Sequence, residues 1–177
     1  AQKHLFITFC ALSEAKGMDI FMKEFEVKLE QRAETRLYGV WDKTSDKTLA
    51  KDIPVLSSRY HQLTGMQSDT VLPFFVLSRN YDKHTGISEL LIGSLLKNEN
   101  LSELVLPCDC YAVITVKPKF GMLWGLAVGE AKRYFYTKWL PQSDYDAQNL
   151  EYEYHTDKSV GKNPTVDIVF AITKRAK

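Results

Sequence analysis

The feature that most constrains the fold of this chain is an internal repeat. Residues 25–96 and residues 101–174 each contain two strand-like segments, one helix-like segment and two more strand-like segments. Tyr38 and Tyr111, each followed by a small residue and then a valine, occupy equivalent places and lie 73 residues apart. Duplicated strand–helix–strand–strand units predict an α+β fold, with antiparallel sheets that join or face each other, helices on one side and a central ligand cleft.

Each half has one clear helical segment. In the first half the pattern predicts a helix over residues 52–65, with Asp52 as the N-cap and Gly65 as the C-terminal stop. In the second half it predicts a helix over residues 127–141 that Pro141 ends. The apolar stripe of this second helix has four members at helical spacing: Val128, Ala131, Phe135 and Trp139.

Two further strands follow each predicted helix. The last one alternates apolar and polar side chains, which is typical of a strand with one buried face. These four strands span residues 71–81, 87–96, 150–156 and 165–173. The polar stretch 97–100 connects the two halves. We therefore divide the chain into a leader, residues 1–24, and one domain, residues 25–177, that is made of the two pseudo-repeats.

The net charge and the cysteine pattern argue against several classes of protein. The 23 basic and 22 acidic residues give a net charge of +1, which does not predict a nucleic-acid-binding surface. Cys108 and Cys110 form a C-x-C pair, but no second Cys or His pair completes a zinc site. No apolar run approaches the roughly 20 residues that span a bilayer. We therefore expect a cytoplasmic protein without a metal, a cofactor or a membrane partner.

The stretch NLEYEYHTD near the C-terminus contains two carboxylates that alternate with two tyrosines. In a strand, Glu151 and Glu153 lie on one face, and Tyr152 and Tyr154 lie on the other. Such a carboxylate pair can act as catalytic acid and base, can oppose a cationic ligand, or can simply face water. His155 shares the face of the glutamates and can make that face sensitive to pH.

Six segments follow one another in a characteristic order along the chain. They are LYGVWDKTS, IPVLSSRYHQL, LPCDCYAVITV, YFYTKWLPQSDYD, LEYEYHTD and VDIVFAI. Together they resemble the GyrI-like (gyrase-inhibitor-like) effector-binding domain. The resemblance covers residues 25–174. This domain is the C-terminal sensor of AraC-type and MerR-type multidrug-responsive transcription regulators, and it also occurs alone. The chain departs from the family at CDC, where a glycine is usual, and at the glutamate motif, which has two glutamates instead of one.

The resemblance implies a ligand-contacting glutamate in an aromatic cleft. The spacing from Tyr145 favours Glu153 for this role, with Glu151 second. Tyr111 follows a turn and Tyr145 lies in a predicted loop, where aromatic residues often contact ligands. Further aromatic candidates, with core packing as the alternative, are Trp41, Tyr60, Phe74 and Trp139. Trp124 either lies over the mouth of the cleft or caps the second helix.

The resemblance also implies a function, a stand-alone effector-binding protein for hydrophobic, cationic small molecules. It would be the sensor module of a transcription regulator without the DNA-binding domain, acting as a homodimer or with a separate regulator protein. A cationic ligand would offset the cost of burying a glutamate, and each aromatic ring would add about 0.5–2 kcal/mol of cation–π attraction. Two alternatives stay open, a small-molecule hydrolase that uses the same cleft and a gyrase-inhibitor-like protein-binding module. No nucleophile stands out, so no catalytic residue is assigned.

Overall fold

The computed structural model describes residues 23–66, 72–119 and 124–176; residues 1–22 of the predicted leader lie outside this part. The strands are β1 (Lys28–Arg32), β2 (Thr35–Ser45), β3 (Phe74–Asp82), β4 (Ile87–Ser94), β5 (Ser102–Leu106), β6 (Asp109–Val116), β7 (Tyr145–His155) and β8 (Val166–Lys174). The helical segments are α1 (Leu49–Thr64), α2 (Trp124–Tyr134), a π-helical turn (Phe135–Trp139), α3 (Leu140–Gln142) and a 3-10 turn (Asp157–Ser159). None of these helices is both long and apolar enough to cross a membrane.

The eight strands join in one antiparallel sheet with the order β1-β6-β8-β7-β3-β4-β2-β5. The two repeats meet at its centre, where β3 pairs with β7. The first strand of each repeat crosses to the other half, because β1 pairs with β6 and β5 pairs with β2. The predicted α+β fold is confirmed, and of the two predicted sheet arrangements the joined sheet is the correct one.

Short links make the sheet curl into a half-barrel. Arg32 ends β1 and Thr35 begins β2, although these strands lie toward opposite edges of the sheet. Three Cα steps span at most about 11 Å, so the two edges must approach each other. Leu106 and Asp109, which end β5 and begin β6, form a second link of the same length. The face that the approaching edges enclose is therefore concave.

The two faces of the sheet carry separate cores. α1 packs on β2 and β4, and α2 packs on β6 and β8, so both helices cover the convex face. The core under α1 includes Val40, Ile53, Leu56, Tyr60, Leu90 and Ile92. The core under α2 includes Ala112, Ile114, Val128, Phe135, Ile168 and Phe170. The concave face has its own core, which includes Leu37, Phe75, Leu77, Leu91, Tyr111, Tyr152 and Val169.

The start of α1 differs from the prediction, whereas its end agrees. The helix begins at Leu49 after the N-cap residue Thr48, three residues before the predicted N-cap Asp52. The carboxylate of Asp52 lies in the first turn and accepts a hydrogen bond from the Thr44 hydroxyl at 2.6 Å. Gly65 ends the helix as predicted, with a left-handed φ of 67° that glycine adopts without strain.

The second helical segment confirms the predicted apolar stripe but not the predicted end. The stripe packs into the core under α2 as expected. The helix does not end at Pro141, because a π-helical turn lets the chain continue to Gln142 before Ser143 becomes extended. In that turn the Leu140 N–H donates to the carbonyl of Phe135. Pro141 then lies in the first turn of the short α3, where a missing N–H is tolerated.

β7 is longer than predicted and contains a bulge. It begins at Tyr145, so this residue lies in a strand and not in a loop. The register of β7 with β8 shifts between Ala147 and Glu151, and Asn149 at the bulge has a left-handed φ of 54°. The bulge breaks the alternation of the sequence at AQN, which explains why the strand pattern becomes visible only from residue 150 onward.

Asn149 holds this bulge against β3. Its side-chain oxygen accepts a hydrogen bond from the Tyr81 N–H at 2.8 Å, and its side-chain nitrogen donates to the Tyr81 carbonyl at 3.0 Å. Asn149→Ala removes both bonds and places a less tolerant residue at positive φ, so we expect a loss of about 1–2 kcal/mol of unfolding free energy in urea titrations. Asn149→Gly, which tolerates the φ value, should lose less, and equal stability of wild type and Asn149→Ala would contradict this role.

Candidate functional site

The convex face has a strip between the two helices. It follows the central strands β3 and β7, because α1 packs on β2 and β4 whereas α2 packs on β6 and β8. We call it the interhelix strip and define it by three cross-strand pairs, Phe74 with His155, Val76 with Glu153, and Ser78 with Glu151. The strip lies at the junction of the two repeats, which is where pockets commonly form.

The alternation of β7 distributes its side chains as the sequence predicts. Glu153 bonds to His155, and Glu151 bonds to side chains of the second helical segment, so all three lie on the convex face. Tyr152 and Tyr154 pack with the concave core instead. The predicted separation of carboxylates from tyrosines is therefore confirmed.

Glu153 is buried with an incomplete set of hydrogen bonds. Its side chain is 4% exposed, and its Oε2 lies 3.1 Å from Nε2 of His155. Its other oxygen, Oε1, is buried and has no hydrogen-bond partner among the described residues. A buried carboxylate oxygen without a donor costs free energy. This atom is therefore suited to receive a cation or a hydrogen-bond donor from a bound molecule.

Glu151, the second predicted carboxylate, has a partner at each oxygen. Oε1 lies 2.7 Å from Nζ of Lys132, and Oε2 accepts a hydrogen bond of 2.6 Å from the Tyr136 hydroxyl. The side chains of Lys132 and Glu151 are 12% and 15% exposed, so water screens this ion pair only in part. A cationic ligand at Glu151 would have to displace a lysine that is already in place.

Aromatic rings flank the strip on the α1 side. Tyr60 is fully buried, and its hydroxyl lies 2.7 Å from the Ser94 hydroxyl. Burial raises the pKa of Tyr60, so this phenol stays neutral. The ring of Phe74 meets Tyr60 edge-on at 5.7 Å and stacks on His61 at 6.0 Å. Because Phe74 pairs with His155 across the strands, these rings lie at the end of the strip next to the Val76–Glu153 pair.

Three other predicted aromatic residues belong to the core under α2. Trp139 stacks on Phe135 at 5.3 Å and on Tyr145 at 6.2 Å, and Trp124 packs partly buried against the same core. Tyr145 and Glu153 are eight residues apart on β7, which corresponds to about 25 Å along a strand. The structure therefore does not bring Tyr145, or the Trp139 that stacks on it, to Glu153.

Trp41 and Tyr111 lie on the concave face, on the other side of the sheet from Glu153. Tyr111 is part of the concave core, and Trp41 packs against that core. Burial raises the pKa of Tyr111 to about 12, and its hydroxyl donates to the carbonyl of Pro107 at 2.9 Å. One ligand site cannot contain both these residues and Glu153, because a sheet separates them.

Two arginines of the chain occupy aromatic surface on the concave face. The guanidinium of Arg32 lies 5.4 Å from the ring centre of Tyr154, and that of Arg79 lies 4.2 Å from the ring centre of Trp41. Each also forms an ion pair with a glutamate. A depression of about 360 Å³ on this face is lined by Trp41, Asp42, Lys43, Arg79 and Glu89. Internal cations thus already fill the positions where rings and carboxylates would attract a cationic ligand.

Sequence reasoning did not single out Lys132 and Tyr136, which contact Glu151. These residues are spaced i, i+4 and lie beside the apolar stripe, so a search for polar pairs next to a buried helix face can find them. Their partner could not be found in this way, because Glu151 is contributed by a strand that follows the helix and folds back beneath it. His61, beside the α1 stripe, carried no sequence signal beyond its position.

Comparison with known proteins gives matches in structure. No family model and no curated protein matches the sequence. A protein of Staphylococcus aureus MU50 assigned to bacterial transcription regulation aligns over 85% of this chain and 99% of its own, with a TM-score of 0.62 and 14% identity. SAV2435, solved bound to tetraphenylphosphonium, aligns over 84% of this chain and 94% of its own, with a TM-score of 0.62 and 14% identity.

The C-terminal domain of EcmrR is a third similar structure. It aligns over 85% of this chain and 99% of its own, with a TM-score of 0.56 and 16% identity. Identities this low establish similarity of fold and not of function. At the level of fold, the chain is therefore similar to these three proteins, and this similarity is consistent with the GyrI-like effector-binding domain that its sequence motifs resemble.

Proposed function

We propose that this chain is an effector-binding module that takes up hydrophobic organic cations at the interhelix strip, with Glu153 as the counter-charge. The observation that carries the proposal is the buried Oε1 of Glu153, which accepts no hydrogen bond from the described residues. A cationic group at this atom would supply the missing electrostatic partner. Such a module would act in the cytoplasm as a sensor or sequestering protein, as a homodimer or with a separate regulator protein.

The contrast between the two glutamates supports this choice of residue. Glu151 already has Lys132 and Tyr136 as partners, whereas one oxygen of Glu153 is unpartnered within the described part of the chain. Binding a cation at Oε1 of Glu153 requires no lysine to be displaced, and it leaves the contact of Oε2 with His155 in place. Phe74, which is part of the strip, adds a ring that can face an organic cation.

The contrast between the two faces supports this choice of surface. On the concave face, Arg32 and Arg79 already lie over the rings of Tyr154 and Trp41. A cationic ligand there would meet like charge. The similar structure SAV2435 was solved bound to tetraphenylphosphonium, a hydrophobic cation, which makes this compound the natural first probe.

The proposal is tested by titrating the protein with tetraphenylphosphonium and following tryptophan fluorescence and calorimetric heat. Triphenylphosphine oxide, a neutral aromatic analogue, serves as the charge control. We expect Glu153→Gln to weaken binding of the cation at least tenfold, about 1.4 kcal/mol, because the carboxylate charge is lost while the shape is kept. The neutral analogue should bind both proteins equally.

Glu151→Gln is the matched control variant. Its carboxylate lies on the same strand face but already has Lys132 as a counter-ion, so we expect less than a threefold change in affinity. Equal affinity of wild type and Glu153→Gln for the cation would refute the proposal. Turnover of an activated ester that disappears in Glu153→Gln, without cation binding, would instead favour a hydrolase.

A further inference from the structure

The carboxylate of the proposed site shares its strand face with a buried histidine. We propose that His155 makes cation binding at Glu153 depend on pH, because the protonated imidazole neutralises the carboxylate that a ligand would use. This inference rests on the proposed function and concerns its regulation. It would make the module release a permanent cation as the pH falls.

The contact between the two side chains is direct and shielded from water. Nε2 of His155 lies 3.1 Å from Oε2 of Glu153, and the two side chains are 6% and 4% exposed. An ionised carboxylate only accepts hydrogen bonds, so Nε2 of His155 is the donor in this contact whenever Glu153 is charged. The neutral imidazole therefore orients the carboxylate without cancelling its charge. Once a second proton is bound, the same contact becomes an ion pair with no net charge.

The other titratable groups near the strip are paired with each other, are uncharged, or can be distinguished from His155 by mutation. The facing titratable groups on the described elements are Glu151 of β7, Tyr60 and His61 of α1, and Lys132 and Tyr136 of the second helical segment. Lys132 and Glu151 neutralise each other, and Tyr60 and Tyr136 are uncharged phenols. The neighbours of Glu153 on β3 and β8 are Val76 and Ile168, which do not titrate. His61, stacked on Phe74, is the second imidazole that the test must separate from His155.

The direction of the effect follows from competition. A proton on His155 and a cation at Oε1 of Glu153 both compensate the same negative charge, so each weakens the other. Histidine is the side chain that commonly gains its charge between pH 8 and pH 5. Affinity for a cation that does not titrate should therefore fall severalfold as the pH falls from 8.0 to 5.5.

The test is the pH profile of tetraphenylphosphonium affinity from pH 8.0 to pH 5.5, since the charge of this phosphonium does not change with pH. We expect His155→Gln, which can keep a neutral donor to Glu153, to change less than twofold over this range. His155→Asn serves as a second variant if the first does not fold. His61→Gln and His84→Gln, the latter at an exposed turn, should keep the wild-type profile.

Each outcome separates the inference from the proposed function. If the cation binds through Glu153 but wild-type affinity is constant with pH, the inference about His155 is wrong and the proposed function stands. A profile that becomes flat in His61→Gln and persists in His155→Gln also overturns it. If tetraphenylphosphonium binds at no pH, or Glu153→Gln binds it as tightly as wild type, the proposed function fails and the inference fails with it.

Discussion

Replacing Phe135 with alanine is expected to lower the unfolding free energy by about 3–5 kcal/mol. Phe135 is fully buried at the start of the π-helical turn. Its ring stacks on Phe170 of β8, with the ring centres 3.8 Å apart and the planes within 7°, and on Trp139 at 5.3 Å. Truncation would leave a cavity between the helix and the sheet that neither ring can fill without losing its own contacts. Equilibrium unfolding in urea measures the loss.

The matched variant for this position is Phe135→Leu. Leucine keeps most of the apolar volume but not the stacked geometry, so the expected loss is about 1–2 kcal/mol. A loss below about 1 kcal/mol in Phe135→Ala would show that the turn carries little of the packing energy. The Phe135–Phe170 contact would then not be what holds the second helical segment on the sheet.

Gly93→Ala is expected to cost at least about 3 kcal/mol or to prevent folding. A Cβ atom at Gly93 would lie 2.5 Å from the carbonyl oxygen of Tyr38 and 3.0 Å from Cα of Gly39. Gly39 is the cross-strand partner of Gly93, and a Cβ there would lie 2.4 Å from the carbonyl oxygen of Ile92. Backbone blocks both positions, so β2 and β4 would have to separate. Urea unfolding and the yield of soluble protein measure the effect.

Gly161→Ala is the control for this prediction. Apart from its chain neighbours, no atom of the described residues lies within 4 Å of a Cβ built at Gly161, so this change should leave stability within about 0.5 kcal/mol of wild type. Wild-type stability of Gly93→Ala would mean that the sheet can relax at the Gly39–Gly93 pair. The tight approach of β2 to β4 would then not be a requirement of the half-barrel.

Local patterns in the sequence predicted most of the elements. The stripe at Val128, Ala131, Phe135 and Trp139 lies in the core as expected, and Gly65 ends α1. These predictions succeed because the apolar stripe of a helix and the glycine that ends it depend only on residues close together in the sequence. The predictions for Asp52, Pro141 and Tyr145 were wrong. Asp52 lies in the first turn of α1 instead of capping it, and a π-helical turn precedes Pro141. Tyr145 begins a strand whose pattern is interrupted by a β-bulge.

These local patterns could not predict which distant strands pair in the sheet. The crossing of β1 to β6 and of β5 to β2 joins residues that are about 80 and 70 positions apart in sequence. The positions of Trp41 and Tyr111 on the concave face depend on that topology and on the register of the whole sheet. The sequence around an aromatic residue in a strand does not indicate which face of the sheet will bind a ligand.

The sequence alone determined that two carboxylates of β7 share one face with His155 while two tyrosines share the other. That result follows from the two-residue period of a strand and needs no tertiary contact. Which carboxylate has a partner at both oxygens was decided by the tertiary structure, because Lys132 and Tyr136 come from the second helical segment and contact Glu151. The sheet register placed Val76 and Ile168 beside Glu153, so one of its oxygens stays buried without a donor within the described residues.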